Sequence, residues 1–249
     1  MLIAAMLLAI ANTAQPYPYM EQLRAAEKTV DEAPEGPQKI RALHMLALAQ
    51  SFVGEAQRAQ ETNARRLQEM KPTPQQHTEI TAQVGAMLAD FEARDALAAI
   101  VGQAQNRRIV ILNEAHQVSQ HRAFATLLAL ELRKQGFGYL AVETLDARTP
   151  GRVADLQRRG YPLAEDGFYS KEPLFGDFLR RSLAAGYKLV AYEHTAYSAD
   201  YDGLAPVDRQ IQREEGQAQN IMDRVFASNP RPRVFIYVGH GHVNKGLTD

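Results

Sequence analysis

From about residue 20 to residue 104 the apolar positions recur at helical spacing. Segment 37–53 places Ile40, Leu43, Leu46, Ala47 and Phe52 on one face, the three-to-four rhythm of an amphipathic helix. Gly54 interrupts it. Segment 55–70 continues as a polar, alanine-studded helix, and Pro72 and Pro74 stop it. Further helices are predicted over 75–91 and 93–103. Leu46, Ala47, Gly54, Ala59 and Leu67 approach the spacing of a tetratricopeptide pair. A single imperfect unit without a second copy reads better as a generic helical hairpin.

After residue 105 the rhythm changes to strand, helix, strand. Segment 107–113 (RRIVILN) has the unbroken β-branched centre expected of a strand buried on both faces. Ser119 can cap the helix that follows. Phe124, Leu127, Leu128 and Leu132 point inward along it, Arg133 and Lys134 suit its last turn, and Gly136 suits the C′ position. Segment 138–143 (GYLAVE) is the second strand. A helix over 173–185, a strand over 187–192, a helix over 206–227 closed by Asn229 and Pro230, and a strand over 233–238 repeat the unit. The pattern predicts an α/β fold. A mostly parallel sheet carries helices on both faces and is preceded by an all-helical region. The insert 150–173 contains a short helix and a Gly/Tyr/Pro-rich loop of the kind that forms lids. The predicted organisation is a signal segment over 1–15, a helical region over 16–104 and an α/β domain over 105–249. Only eleven residues follow the fourth strand, so the domain reads as C-terminally incomplete or completed by another chain.

Composition narrows the chemistry. Lys and Arg number 28 and Asp and Glu 29, a net charge of −1 that argues against nucleic acid as a partner. There is no cysteine, which removes disulfides, thiolate ligands and a Cys nucleophile. The uncharged run MLIAAMLLAIA at the start is shorter than the roughly 20 residues a bilayer span needs. It ends in the small-x-small pattern Ala9-Ile10-Ala11. A periplasmic or secreted protein with no stable membrane span after signal removal is expected.

In a parallel α/β sheet, ligands bind beyond the carboxyl ends of the strands. Those ends read Asn113-Glu114-Ala115-His116 with His121 and Arg122 beyond, Glu143, Glu193-His194, and Gly239-His240-Gly241-His242. Five of the seven histidines lie there. His44 and His77 have ordinary structural roles, and Glu193 and His194 are candidates to pair with each other. Two chemistries fit such a cluster. Glu114, His116, His121, Glu143, Glu193, His240 and His242 could supply ligands for zinc, manganese or cobalt, whose bound water becomes a nucleophile. Alternatively, a histidine oriented by a glutamate takes a proton from water directly. No Gly-x-Ser-x-Gly, Gly-x-Gly-x-x-Gly or Walker motif is present.

Segment 111–122 (ILNEAHQVSQHR) resembles the first-strand motif Gly-Glu-x-His plus a further His of the erythromycin esterase-like and ChaN-like superfamily, which includes the Tiki and TraB proteins. Segment 141–143 is similar to its second-strand glutamate, and 213–220 (REEGQAQN) to its Arg-x-x-x-Met-Ala-x-Asn segment. Segment 233–244 (RVFIYVGHGHVN) resembles its closing strand. Asn113 stands where the family commonly has Gly. Glu114 and His116 are two apart, as in the ChaN-like branch, against three in the esterases. The resemblance implies that Glu114, His116, Glu143 and His242 bind or activate. Arg122, Arg213 and Asn220 would hold the substrate, the two arginines alternatively pairing with the glutamates. Members hydrolyse a macrolactone, cleave peptides with a metal, or bind haem. The expectation is therefore an exported hydrolase of ester or peptide bonds, acting on a small-molecule or peptide substrate. The alternatives are a haem or metal binder, with Tyr169, Tyr192 or a histidine on the iron, and a scaffold with a degenerate site whose helical region recruits a protein partner.

Overall fold

The computed structural model describes residues 18–70, 73–197, 200–227 and 231–243. The apolar run at the N-terminus, Pro72, Asn229, Pro230 and Asn244 lie outside them, as does the side chain of His77. The chain divides into two compact units, Met1–Thr78 and Glu79–Asp249.

The first unit holds helices α1 (Pro18–Glu32), α2 (Pro37–Phe52) and α3 (Ala56–Glu69). α2 packs on both neighbours. Its Ala42, Leu43 and Leu46 close on Leu23 and Val30 of α1. Gly54, at φ 81°, ends α2 in a conformation that side chains other than glycine rarely adopt. Toward α3 the buried stripe continues through Ala59 and Thr62 and stops there, for Leu67 is exposed. Helix α4 (Pro74–Leu88) follows.

In the second unit, helix α5 (Ala96–Ala104) is capped by the Asp95 carboxylate, which accepts from the Ala98 N–H at 2.7 Å. Strands β1 (Ile109–Glu114), β2 (Tyr139–Val142), β3 (Lys188–Ala191) and β4 (Val234–Gly239) form one parallel sheet in the order β1-β4-β2-β3. The expected α/β fold is thus observed. α6 (Ser119–Lys134), α7 (Arg152–Arg159), α8 (Pro173–Ala184) and α9 (Pro206–Ile221) alternate with the strands, and a π-turn (Met222–Phe226) extends α9.

Alternation along β4 explains the two layers. Val234, Ile236 and Val238 face a cluster with Ala141, Val190, Tyr192 and Val225. Phe235 and Tyr237 face the other way, where the Phe178 ring of α8 lies 6.4 Å from Phe235 and 5.1 Å from Tyr237. Helices therefore cover both faces, and α6 packs beside α8.

Three expectations need correction. Leu127 of α6, expected to point inward, is exposed. β1 is an edge strand and not a doubly buried one, with Ile109 46% and Ile111 51% exposed, because central burial falls to β4. Ser119 is the first helical residue of α6. Val118 occupies the cap position, and no side chain caps this helix. Gly136 does take the C′ role, at φ 89°. Among the described residues no helix is long and apolar enough to cross a membrane.

Phe178 is fully buried among Phe175, Phe235 and Tyr237. Phe178→Ala should destabilise the chain by about 3–5 kcal/mol, the range for deleting a buried phenyl ring. A denaturant melt of the full chain checks this. A loss below about 1 kcal/mol would contradict the packing described.

Candidate functional site

The site starts from the parallel register. Glu114 pairs with Gly239 across β1 and β4, and Val142 with Tyr237 across β2 and β4. Glu114, Glu143 and the turn His240–Val243 therefore leave the sheet at one end.

Arg122, in the first turns of α6, is fully buried beneath this end. Its Nε donates to Glu114 Oε2 at 2.9 Å and its Nη2 to Glu114 Oε1 at 3.0 Å, a bidentate pair. Nη2 also donates to the His116 carbonyl at 2.8 Å. Nη1 lies 3.1 Å from Glu172 Oε2, which caps α8 by accepting the Phe175 N–H at 2.5 Å. The guanidinium is flanked by the rings of Tyr169 at 5.1 Å and Phe175 at 5.5 Å. Tyr237 completes the cage, its hydroxyl donating to Glu114 Oε2 at 2.5 Å. Burial pushes the Glu114 pKa up. The hydrogen bond from His116, the charge and hydrogen bonds of Arg122 and the Tyr237 hydroxyl outweigh it and hold Glu114 at about 2. Burial and the Glu114 charge push Tyr237 up, so it remains a donor.

The remaining lone pairs of Glu114 Oε1 orient His116. His116 Nδ1 lies 2.8 Å from Glu114 Oε1, and an ionised carboxylate requires the ring to donate from Nδ1. Nε2 is then the basic nitrogen. The ring stacks on Tyr169 with centroids 4.6 Å apart and planes at 23°. Gly239 makes room for it. A Cβ at residue 239 would stand 2.6 Å from His116 Nε2 and 3.1 Å from Glu143 Oε2. The imidazole and the second carboxylate thus pack against the same side of a residue without a side chain.

Glu143 is held on its other sides. Oε2 accepts the Gly239 N–H at 2.6 Å, and Oε1 accepts Arg213 Nη2 at 3.2 Å and His242 Nε2 at 3.1 Å. Burial raises its pKa. The hydrogen bonds from His242 and Gly239 and the nearby imidazoles prevail and bring it to about 2. His242 has a carboxylate on each side, Glu143 on Nε2 and Glu214 Oε1 2.6 Å from Nδ1. Its pKa is raised, first by the Glu143 hydrogen bond, against burial and the Arg213 charge. The 3.2 Å approach of Arg213 Nη1 to His242 Nε2 brings two donors together, both beside Glu143. Arg213 also grips Glu193, Nε to Oε1 at 2.8 Å and Nη2 to Oε2 at 3.0 Å, and Gln217 adds a hydrogen bond at 2.8 Å.

Of the residues expected from sequence, Glu114, His116, Glu143, Glu193, Arg213 and His242 converge. Others do not join them. His121 is exposed, and its Nδ1 accepts the Ala115 N–H at 3.0 Å. His240 is exposed beside the Glu114 carbonyl, 3.1 Å from Nδ1. Asn220 donates to the carbonyls of Tyr192 and Glu193, both at 3.1 Å, and so pins the end of β3 in place of a substrate. Of the two roles open to Arg122 and Arg213, the geometry shows pairing with glutamates. Glu193 pairs with Arg213 and not with His194, whose ring lies against Gly216. The expected lid packs as a wall of the site. Gly167 presses on the Thr144 carbonyl, Asp166 binds Arg159 and accepts the Leu163 N–H at 2.6 Å, and Tyr169 lies buried on His116.

Tyr237, Glu172, Glu214 and Gln217 were not anticipated. Tyr237 was legible in principle, because a tyrosine inside a buried strand needs a partner for its hydroxyl. Glu172 precedes Pro173, a helix-start signal that reads equally well as loop.

The expected metal does not fit these residues. Among the described residues no group of three or more His, Asp or Glu is arranged to hold an ion. The donor chemistry gives the reason, since Arg122 and Tyr237 hold the Glu114 oxygens and Gly239 and Arg213 those of Glu143. Zinc, manganese or cobalt would have to displace guanidinium groups. The two tyrosines named for haem lie apart in the fold. Tyr192 is buried in the sheet cluster. Burial and then the Glu143 and Glu114 charges push the Tyr169 phenol up.

Searches against protein-family models, curated proteins and solved structures each find no match for this chain.

Two measurements follow from this geometry. Arg122→Ala strands Glu114 and Glu172, so it should cost about 3–5 kcal/mol, read by denaturant unfolding. A neutral effect would contradict the caging. Glu114 and Glu143 sit at about 2 in the fold against 4.5 unfolded, so they stabilise above pH 4.5 and that stability drains as pH falls toward 2. His242, raised above 6.5, stabilises fully below pH 6.5 and ceases to do so as pH rises through its folded value. Melts of Glu114→Gln should show a flatter acid limb, and melts of His242→Gln a flatter alkaline one. Unchanged limbs would refute the assignments.

Proposed function

We propose that the protein is a hydrolase of carbonyl esters or amides in which His116 acts as general base on water. The observation that carries this reading is the close packing of His116 Nε2 and Glu143 Oε2 against the same side of Gly239, with His116 Nδ1 fixed by Glu114. A water bridging the two groups can donate one hydrogen to Nε2 and the other to the carboxylate, which turns an oxygen lone pair toward a substrate carbonyl carbon. As the O–C bond forms, Nε2 takes the proton and Glu114 stabilises the imidazolium. His116 then returns the proton to the leaving oxygen or nitrogen as the carbonyl carbon releases it. The logic is that of a carboxylate–histidine pair serving a nucleophile, with water in place of serine. Arg213 and His242 keep Glu143 ionised and aimed.

The motif resemblance to the erythromycin esterase-like and ChaN-like superfamily supports the same reading. The apolar run ending at Ala9-Ile10-Ala11 supports export to the periplasm or beyond.

A panel of activated esters and chromogenic peptides tests the proposal. His116→Ala should lower kcat/KM by about 10²–10⁴-fold on any substrate turned over, the usual worth of a positioned base. Gly239→Ala, whose methyl would intrude on His116 and Glu143, should act comparably without unfolding the chain. Dialysis against a chelator should leave the activity unchanged. Full activity in His116→Ala, or loss on chelation restored by a divalent ion, would overturn the mechanism.

A further inference from the structure

The opposite end of the sheet carries a second concentration of charge. A cavity of about 380 Å³ is lined by Gln105, Asn106, Arg107, Arg108, Arg231 and Arg233. Four of these carry a guanidinium and none a carboxylate. The parallel register assembles them. Ile109 lies opposite Val234, and the Val234 N–H donates to the Arg108 carbonyl at 2.9 Å. The dipeptide Arg107-Arg108 and the tripeptide Arg231-Pro232-Arg233 therefore enter β1 and β4 side by side, although more than a hundred residues separate them.

Arg233 has a structural role. Its Nε donates to the Arg107 carbonyl at 3.0 Å, its Nη2 to those of Ala104 at 2.5 Å and Gln105 at 3.1 Å, and its Nη1 to that of Gln135. It thereby satisfies carbonyls at the ends of α5 and α6. Those contacts leave its positive charge in place, since carbonyls bear no formal charge. Arg107, Arg108 and Arg231 are exposed around it, Arg108 lying 5.1 Å from the Phe226 ring centre. Four guanidinium groups around one small cavity repel one another in a chain whose overall charge is −1, and a multivalent anion among them relieves that repulsion.

We infer that this cavity binds a small ligand carrying two or more linked phosphate groups. Guanidinium forks match phosphate oxygens in pairs, and several forks around one cavity favour a diphosphate over a single phosphate. The volume suits a small molecule. The strands rise about 3.3 Å per residue over the six residues of β1, so the cavity lies roughly 20 Å from Glu114 and is a separate site.

Calorimetric titration of the full chain with inorganic pyrophosphate, beside orthophosphate and a single-stranded oligonucleotide, tests the inference. Pyrophosphate should bind at least about ten-fold more tightly than orthophosphate, and the affinity should fall as salt rises. Arg107→Gln, Arg108→Gln and Arg231→Gln should each weaken it by about ten-fold, one charge-assisted hydrogen bond apiece, while unfolding midpoints stay unchanged. Absence of pyrophosphate binding, equal affinity in the triple variant, or tighter binding of the oligonucleotide would overturn it. None of these readings involves His116 or ester turnover.

Discussion

The ion pair between Arg122 and Glu114 is the constraint on which the candidate site depends. Both side chains are out of water, and neither charge could remain there alone. The pair persists because every side is occupied. Glu114 takes two guanidinium nitrogens, a phenol and an imidazole, and Arg122 adds Glu172 and two aromatic faces. One buried cation therefore ties together β1, α6, the start of α8 and the wall that carries Tyr169. It also fixes the tautomer of His116, since the carboxylate cannot accept from a nitrogen without a hydrogen. A residue that packs the fold and a residue that sets up the proposed chemistry are thus the same residue.

The second carboxylate is organised differently. Glu143 sits between the Gly239 N–H and a polar group from α9 and the turn after β4, namely Arg213 and His242. Arg213 couples Glu143 to Glu193, so the ends of β2 and β3 share one guanidinium. In each case an arginine occupies the place beside two carboxylates that a divalent ion would need. That arrangement neutralises the clustered acids and favours direct proton transfer over metal-bound water in the proposed reaction.

Much of this was legible in the chain. The β-branched runs and glycine-closed helices disclose the alternating architecture, and the parallel reading places Glu114, Glu143, Glu193 and His242 at one end. The strand order was not legible, because nothing local in RRIVILN distinguishes an edge strand from a central one. The roles within the cluster were hidden for a similar reason. His121 and His240 share the residue type and neighbourhood of the site histidines, yet His121, five residues after His116 in the first turn of α6, and His240, two residues before His242, meet backbone partners at the surface. Tyr237 and Glu172 reach the site only through contacts with residues distant in sequence, Glu114 and Arg122. Nothing local in the sequence marks Gly239, whose importance lies in the two groups that a methyl there would displace.

The central claim is that Glu114 holds His116 with its proton on Nδ1 and its lone pair on Nε2. Nitrogen chemical shifts of His116, recorded by NMR on the full chain with the neutral ring, test it most directly. The account predicts the Nδ1–H tautomer in the native protein and loss of that preference in Glu114→Gln. A native His116 carrying its proton on Nε2 would contradict it.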